Sequence, residues 1–228
     1  MQTVLCVFGT RPEAIKMAPV IRELRRRPDR FRCRVCVTAQ HRDMLDQVMR
    51  LFGIEADYDL DVMASGQTPT QVAAAVLAGL EPVLQRERPD WVLVQGDTTT
   101  VAAAALAAYY ARARVGHVEA GLRSHDKWQP FPEEINRRIA GVAADLHFAP
   151  TEQSRRNLLA EGVPDDAVHV TGNTVIDALH WSATIPPDEA TRALLAEVGV
   201  GGGVGEGADG APAGPRLILL TAHRRESF

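Results

Sequence analysis

Features that mark a secreted, disulfide-stabilised or membrane-spanning protein are missing from this chain. Of its 228 residues only three are cysteines, and the C-x-x-C of Cys33 and Cys36 falls in a predicted strand. Residues three apart on a strand point to opposite faces, so we expect neither a disulfide nor a metal site there. The longest apolar stretch, around 101–111, is too short to cross a bilayer, and the first residues lack the positive flank of a signal peptide. We therefore expect a cytoplasmic protein without membrane contact.

An excess of positive charge and a metal-ligand spacing are also missing. The formal net charge is -4, the pI is near 6.0 and the basic residues are scattered, which argues against nucleic-acid binding. The seven histidines never form H-E-x-x-H or a comparable spacing, so no metal site is predicted. His147 and His169 lie within predicted strands, and we interpret them as packed residues.

Short apolar runs alternate with helical patterns along most of the chain. The hydrophobic content of 46% allows a full core, and the alternation predicts an α/β fold with a doubly wound parallel sheet. Pro12 and Pro69 fit the first positions of helices. The predicted strands are 4–8, 35–38, 91–94, 115–118, 146–149 and 168–171.

The composition changes abruptly near the end of the chain. Eight of the eighteen glycines and two prolines fall in 199–215, which predicts a flexible loop. The run RLILLT at 216–221 is a further strand signal, His223 follows it closely, and Phe228 is the last residue. A strand that begins a new βα unit and then stops implies a missing continuation.

The first predicted strand runs into the segment FGTRPEAIKMAP, with Arg11 at the mouth of a helix and Lys16 in its first turns. Free N–H groups and the dipole at a helix start favour an anion. Because cations do not stabilise this end of a helix, we interpret both residues as anion-binding rather than as solvated charges. The turn lacks the G-x-G-x-x-G fingerprint, which predicts that no nicotinamide cofactor is bound.

Two carboxylates closely follow predicted strands. Asp97 in QGDTTT comes after the strand at 91–94, and Glu119 in HVEAGLRS comes after the strand at 115–118. Because the carboxyl ends of parallel strands share one edge, Arg11, Asp97 and Glu119 should converge on one anion-handling crevice. Asp97 has an equally good interpretation as the N-cap of the next helix, whereas Glu119 shows no cap pattern.

The segment QPFPEEINRR starts another helix. Pro132 fits its first position, and Glu133 and Arg137 are spaced as an i, i+4 ion pair, for which surface stabilisation is the simplest interpretation. The long loop before it, with its residues 125–128, is more typical of a lid that faces a substrate than of a plain connection.

Taken together, these motifs resemble the non-hydrolysing bacterial UDP-N-acetylglucosamine 2-epimerases. The resemblance covers 4–185 and resumes at 217, and the glycine-rich loop is the part that is not characteristic of the family. In chain order it rests on FGTRPEAIKMAP, TAQHRDMLDQV, GDTTT, GHVEAGLRS, PFPEEINRR, TGNTVIDAL and TAHRRESF.

The resemblance implies a glycosyltransferase-B-type architecture, in which two Rossmann-like domains enclose the active site. The first domain would span 1–171, and 172–228 would be the beginning of a UDP-binding domain that lacks most of its residues. We expect 1–228 alone to fold in its first domain and to fail to turn over substrate, because the second wall of the crevice is missing.

The family reaction interconverts UDP-N-acetylglucosamine and UDP-N-acetylmannosamine, and the plausible route is elimination of UDP to a 2-acetamidoglucal followed by re-addition. It implies no cofactor. The positions that match the family's acid/base residues are Asp97, Glu119 and Glu133. The positions that match its substrate and diphosphate residues are Arg11, Lys16, Arg137 and His223, the last of which we count with the catalytic residues. Which carboxylate serves which face of the sugar stays open.

The resemblance also bears on regulation and partners. Many bacterial members are activated by their own substrate at a neighbouring site, where Gln40 and Gln67 match polar residues of the family. Asp43 and Gly66 stand where some members carry glutamine and arginine, so allosteric activation stays open. The resemblance further implies a homodimer for the full-length enzyme and a product that supplies cell-surface polysaccharide.

Three other functions compete with this interpretation. A hydrolysing relative of similar fold would release free N-acetylmannosamine and UDP. A glycosyltransferase of the same architecture has no need of the carboxylates at Asp97, Glu119 and Glu133. The chain could instead be a nucleotide-sugar-binding fragment without catalysis.

Overall fold

The structure is a computed structural model that describes residues 1–38, 42–62, 64 and 66–199, without the side chains of 42 and 43. Its centre is a seven-stranded sheet in which all neighbouring strands are parallel. The predicted α/β class with a doubly wound parallel sheet is confirmed. The strands are β1 Gln2–Phe8, β2 Phe31–Val37, β3 Tyr58–Asp59, β4 Trp91–Gln95, β5 Arg114–Val118, β6 Leu146–Ala149 and β7 Val168–Val170.

Helices connect most of the strands. As predicted, Pro69 opens its helix; the first helix begins at Arg11, one residue before Pro12, because Thr10 serves as its N-cap. The described helices are α1 Arg11–Arg25, α2 Arg42–Leu51, α3 Pro69–Glu87, α4 Thr99–Tyr110, α5 Glu133–Ala143, α6 Glu152–Ala160, α7 Thr174–Ala183 and α8 Glu189–Glu197.

The strand order places a crevice between β1 and β4. The order is β3-β2-β1-β4-β5-β6-β7, so the chain proceeds outward from β1 in one direction and resumes at β4 on its other side. In open α/β sheets, ligands bind at such a switch point, outside the carboxyl ends of the strands. The turn that leaves β1 there leads into Arg11, the first residue of α1, and the turn that leaves β4 contains Asp97.

Small residues let α4 lie close against the sheet. Six of its alanines are buried, and the valine at its start, Val101, packs in one core cluster with Leu5, Val7 and Val94 of the strands. Each such Leu or Val contributes about 1.5–3 kcal/mol when fully buried. The turn after β4 is therefore held between a rigid strand and a rigid helix.

The structure departs from the sequence-based expectations at the sheet edges. The two-residue strand Tyr58–Asp59 was not predicted, because it is too short to show an alternating pattern. His147 is buried, as predicted. His169 is exposed, so the prediction that it is packed is wrong. It lies on the edge strand β7, where the ring of Phe148 stacks against it at 6.2 Å between centroids.

The chain divides into two compact units, Met1–Ser182 and a second that begins at Ala183. In the second unit the described residues form α8, whose N-cap Asp188 accepts a hydrogen bond from the Thr191 N–H at 2.8 Å. The strand predicted at 216–221 and all but Gly199 of the predicted loop lie outside the described residues. The domain boundary expected after residue 171 stays a prediction.

The structure also bears on disulfide bonds, metal sites and membrane-spanning helices. Cys6, Cys33 and Cys36 are free thiols, and the last two lie on β2. Across the described ranges, no group of three or more His, Cys, Asp or Glu side chains could hold a metal ion. No helix in this part of the chain is long and apolar enough to cross a membrane.

Candidate active site at the carboxyl edge of the sheet

The turn from β1 to α1 is closed by a capping box. The Thr10 hydroxyl accepts a hydrogen bond from the Glu13 N–H at 3.4 Å, and Glu13 Oε2 accepts from the N–H groups of Gly9 and Thr10 at 3.0 and 2.7 Å. Pro12 has no N–H, and the Arg11 side chain is exposed. The N–H groups of Gly9, Thr10 and Glu13 are thus bonded within the turn. The expectation that free N–H groups at this helix start bind an anion stays a prediction, and the cationic side chains of Arg11 and Lys16 are the other candidates for that role.

Lys16, in the second turn of α1, reaches the loop that follows β5. Its Nζ lies 2.5 Å from Glu119 Oε2, and the two side chains are 23% and 11% exposed. Since β4 lies between β1 and β5, this ion pair spans the crevice at the switch point. It brings together two of the residues singled out in the sequence.

Two further donors hold the Glu119 carboxylate. Gln95 Nε2 donates to Oε2 at 2.5 Å, and Asn173 Nδ2 donates to Oε1 at 2.7 Å. The backbone φ of Glu119 is +64°, a left-handed conformation that costs a residue other than glycine about 1–3 kcal/mol. Strain of this kind is found at functional sites. The donors and the backbone together fix one orientation of the carboxylate.

Asp97 faces a guanidinium from α5. Arg137 Nη2 donates to Asp97 Oδ2 at 2.5 Å, and these side chains are 11% and 29% exposed. Burial raises the pKa of the Asp97 carboxyl above its ordinary value, Arg137 opposes the rise, and the charges of Glu133 and Glu119 add to it. Burial and the neighbouring carboxylates thus favour the protonated form of Asp97, whereas Arg137 favours the ionised form.

The turn that carries Asp97 is fixed from two sides. Gly96 has a φ of +82°, its N–H donates to the Val118 carbonyl at 3.0 Å, and its own carbonyl accepts from His117 Nε2 at 2.7 Å. Burial lowers the pKa of His117 to about 4, so its imidazole is neutral at pH 7. His117 therefore supports the turn as a hydrogen-bond donor.

The alternative role of Asp97 as a helix cap is excluded. Thr98 is the N-cap of α4, and its hydroxyl accepts from the Val101 N–H at 3.3 Å. The same hydroxyl donates to Glu13 Oε1 at 2.7 Å. The Asp97 carboxylate is thus left to face the crevice and Arg137.

The start of α5 differs from the surface helix expected from its sequence. Pro132 is the N-cap residue and Glu133 the first helical residue. The predicted surface ion pair between Glu133 and Arg137 is wrong, since Arg137 pairs with Asp97 and, at 3.5 Å, with Glu134. Glu133 Oε2 is buried without a hydrogen-bond partner among the described residues. A buried acceptor without a donor is costly, and this oxygen is available to a substrate hydroxyl or amide.

A cleft beside the start of α1 provides room for a ligand. It has a volume of about 470 Å³, which falls within the usual range for small-molecule sites. Two cations, Arg11 and Lys16, lie on one wall, and residues of α2 together with Val175 of α7 complete the lining. The cleft therefore joins apolar surface to the positive charge that a diphosphate requires.

Three of the predicted residues do not enter this geometry. Gln40 and His223 lie outside the described residues. Gln67 bonds within its own loop, where its side chain accepts from the Ala64 N–H and donates to the Val62 carbonyl, both at 2.9 Å. Its proposed part in allosteric binding stays a prediction.

Sequence reasoning did not single out the side chains that orient the carboxylates. Gln95 is the last residue of β4, and Asn173 lies between β7 and α7, so both were within motifs but had no assigned role. Glu13 completes a T-x-x-E capping box with Thr10, which is a readable signal. Gln95 is also recognisable from the sequence, because it lies at the carboxyl end of a strand close to Asp97, where residues that face the crevice are expected.

Comparisons with known proteins agree with one another. A family model described as UDP-N-acetylglucosamine 2-epimerase matches residues 22–228. The UDP-N-acetylglucosamine 2-epimerase of Yersinia pestis is 54% identical over 228 residues, and that of Escherichia coli K12 is 51% identical over 227 residues. Each alignment covers 99% of this chain and 57% of the relative. The chain thus spans little more than half the length of the curated relatives that it matches.

Solved structures give the same result. The crystal structure of the UDP-GlcNAc 2-epimerase from Neisseria meningitidis bound to UDP-GlcNAc superimposes with a TM-score of 0.81 at 52% identity. That match covers 86% of this chain and 53% of the crystallised chain.

Proposed function

The chain belongs to the UDP-N-acetylglucosamine 2-epimerase family, and we propose that it supplies the acid/base half of a non-hydrolysing enzyme. In this proposal the enzyme interconverts UDP-N-acetylglucosamine and UDP-N-acetylmannosamine without a cofactor. The activity belongs to a protein of the relatives' length rather than to residues 1–228 alone.

The observation that carries the proposal is the unequal surroundings of two neighbouring carboxylates. Glu119 accepts hydrogen bonds from Lys16, Gln95 and Asn173, whereas burial raises the pKa of Asp97. Two titratable groups in one crevice with such different surroundings are typical of an acid and base pair. An epimerisation needs such a pair, because a proton leaves one face of the sugar and another enters the opposite face.

The proposed chemistry starts at C2 of the sugar. Glu119 removes the C2 proton as the bond between C1 and the diphosphate oxygen breaks, which gives a 2-acetamidoglucal and UDP. UDP then adds back to C1 while Asp97 delivers a proton to the other face of C2, and the roles reverse in the opposite direction. Glu133, with its free buried oxygen, orients the sugar or its acetamido group.

The cations have a separate task in this reaction. The departing UDP develops negative charge, and a preformed positive environment stabilises that charge in the transition state. Arg11 and Lys16 line the cleft, and Arg137 approaches from α5. Because the N–H groups of Gly9 and Thr10 are occupied, these side chains carry most of the stabilisation that this domain offers.

Other parts of the proposal depend on the family. They include the contribution of His223 to the diphosphate site, an allosteric site with Gln40 and Gln67, a homodimer, a cytoplasmic location and a product used for cell-surface polysaccharide. The two-domain division after residue 171 is proposed on the same basis.

Product analysis separates this function from its hydrolysing alternative. The protein as its gene encodes it is incubated with UDP-GlcNAc, and the products are resolved by anion-exchange chromatography and NMR. We expect UDP-N-acetylmannosamine at equilibrium with the substrate and no accumulation of free UDP. Stoichiometric release of UDP and free N-acetylmannosamine would identify a hydrolysing enzyme, and the absence of both products would contradict the proposal.

A further inference from the structure

A buried carboxylate lies directly beneath the two turns of the crevice. Glu13 is 2% exposed, although it belongs to the first turn of a helix whose next-door residues, Arg11 and Pro12, are exposed. Ionised side chains are rarely buried so completely unless hydrogen bonds satisfy them. Its burial therefore requires an explanation beyond a helix cap, which can be made at the surface.

The contacts of Glu13 join two separate segments of the chain. Oε2 accepts from the N–H groups of Gly9 and Thr10 in the turn after β1, and Oε1 accepts from the Thr98 hydroxyl at 2.7 Å in the turn after β4. The first turn precedes Arg11, and the second contains Asp97. The Glu13 side chain thus links the turn before Arg11, which is proposed to bind the diphosphate, to the turn that contains Asp97, which is proposed to act in proton transfer.

The chemistry of the three donors explains why the linking residue is a carboxylate. Two N–H groups and one O–H group need acceptors on both ends of the side chain, and an ionised carboxylate is acceptor-only with two oxygens. A glutamine would offer one acceptor and one donor in the same space. The Thr98 hydroxyl would then have to accept from that donor, while it also accepts from the Val101 N–H.

We infer that Glu13 is a positioning residue for the proposed reaction, which sets the distance between the Arg11 turn and the Asp97 turn. The inference rests on the proposed function. The route of its action runs through the Thr98 hydroxyl to the backbone next to Asp97.

The most selective test removes the Thr98 hydroxyl, which donates to Glu13 Oε1. Thr98→Val removes the hydroxyl and leaves the capping box of α1 intact, and Thr98→Ser restores the hydroxyl. In the protein as its gene encodes it, we expect Thr98→Val to lower kcat roughly 10- to 100-fold, the scale of a small misplacement of a catalytic group. KM for UDP-GlcNAc should change little, because Arg11 and Lys16 are untouched. Thr98→Ser should recover most of the turnover.

A matched control separates positioning from helix capping. Thr151 caps α6, where its hydroxyl accepts from the Ser154 N–H at 3.1 Å, so Thr151→Val loses a comparable cap outside the crevice. It should lose the stability of one N-cap, roughly 1 kcal/mol, and leave kcat unchanged. Thr98→Val should lose more stability than this, because Glu13 Oε1 also loses its donor. Equal kcat for the wild type and Thr98→Val, or equal losses of kcat in both variants, would overturn the inference.

Glu13 itself is tested with two variants and two readouts. Glu13→Ala should lose turnover and stability together, and Glu13→Gln should recover only a part of both, because its amide has one acceptor oxygen where the carboxylate has two. Burial raises the pKa of the Glu13 carboxyl, so its contribution to stability is complete below the unfolded-state pKa and is lost as the pH rises through the folded-state pKa. The melting temperature of Glu13→Gln relative to the wild type should therefore increase as the pH rises above the ordinary titration range of a glutamate. A difference that is constant with pH would mean that the carboxyl is not buried as described.

Hydrogen exchange decides the inference independently of activity. Thr98→Val should accelerate exchange of the backbone amides at 96–98, and Thr151→Val should not. If the wild type lacked epimerase activity, the proposed function would fail, while this comparison would still show whether the link orders the Asp97 turn. Unchanged exchange in Thr98→Val would contradict the link itself.

Discussion

Glu119→Gln is expected to lower kcat roughly 100-fold or more, the usual scale for the loss of an acid/base group. The amide has the shape of the carboxylate but cannot accept a proton from C2. Some stability should be lost as well, because the amide has one acceptor oxygen for the donors Lys16, Gln95 and Asn173, so kcat is compared at a temperature where both proteins are folded. Glu133→Gln should also lower kcat, because its amide no longer offers the same acceptor to the sugar, and it should change stability little, since Glu133 Oε2 has no hydrogen-bond partner among the described residues. The measurements are steady-state kinetics and thermal unfolding of the protein as its gene encodes it.

The control for this prediction is a carboxylate with a structural partner outside the crevice. Glu161 accepts two hydrogen bonds, at 2.8 and 2.7 Å, from the buried guanidinium of Arg123. Glu161→Gln should reduce stability, because it leaves that charge poorly compensated, and it should leave kcat unchanged. If Glu119→Gln kept near-normal turnover, or if Glu161→Gln lost as much, the assignment of Glu119 as the base would be wrong.

Gly121→Ala is expected to cause the largest loss of stability among the changes considered. Gly121 has a φ of +86°, and a Cβ there would lie 2.3 Å from the backbone oxygen of Ser154. Helix α6 cannot move away cheaply, because Ser154 is buried and Asn157 Nδ2 donates to the Gly121 carbonyl at 2.9 Å. Overpacking and left-handed strain together should cost about 3–5 kcal/mol, a large part of the stability of a typical domain.

The matched control is another glycine with the same backbone conformation. Gly162 has a φ of +87°, and no atom lies within 4 Å of the position of a Cβ. Gly162→Ala should therefore cost only the backbone strain, about 1 kcal/mol. Urea unfolding of both variants measures the difference. Equal losses would show that the close approach of Gly121 to α6 contributes nothing.

The layout of the sheet could be predicted because buried parallel strands have a strong signal. Runs such as the one at 4–8 are apolar on both faces, and helical patterns separate most of them. The same logic predicted that Asp97 and Glu119 share one edge, since each follows a strand. The two-residue strand at Tyr58 and the exposure of His169 depend on where the sheet ends, and no local pattern records that.

The partners of each charged side chain could not be predicted in the same way. Arg137 has Glu133 at the spacing of an ion pair, but in the fold it contacts Asp97, which is distant in sequence. Likewise, Asn173 meets Glu119 only because β5, β6 and β7 are neighbours in the sheet. Motifs therefore indicate which residues reach the crevice, whereas the tertiary structure decides which of them pair and how the carboxylates come to differ.

The fate of the hydrogen at C2 tests the central claim most directly. The protein as its gene encodes it is incubated with UDP-GlcNAc in deuterated water, without added NAD, and the position and amount of deuterium are read by NMR and mass spectrometry. Elimination and re-addition through Glu119 and Asp97 predict one deuterium at C2 of the UDP-N-acetylmannosamine formed. Retention of the original C2 hydrogen, or epimerisation only when NAD is supplied, would contradict the account.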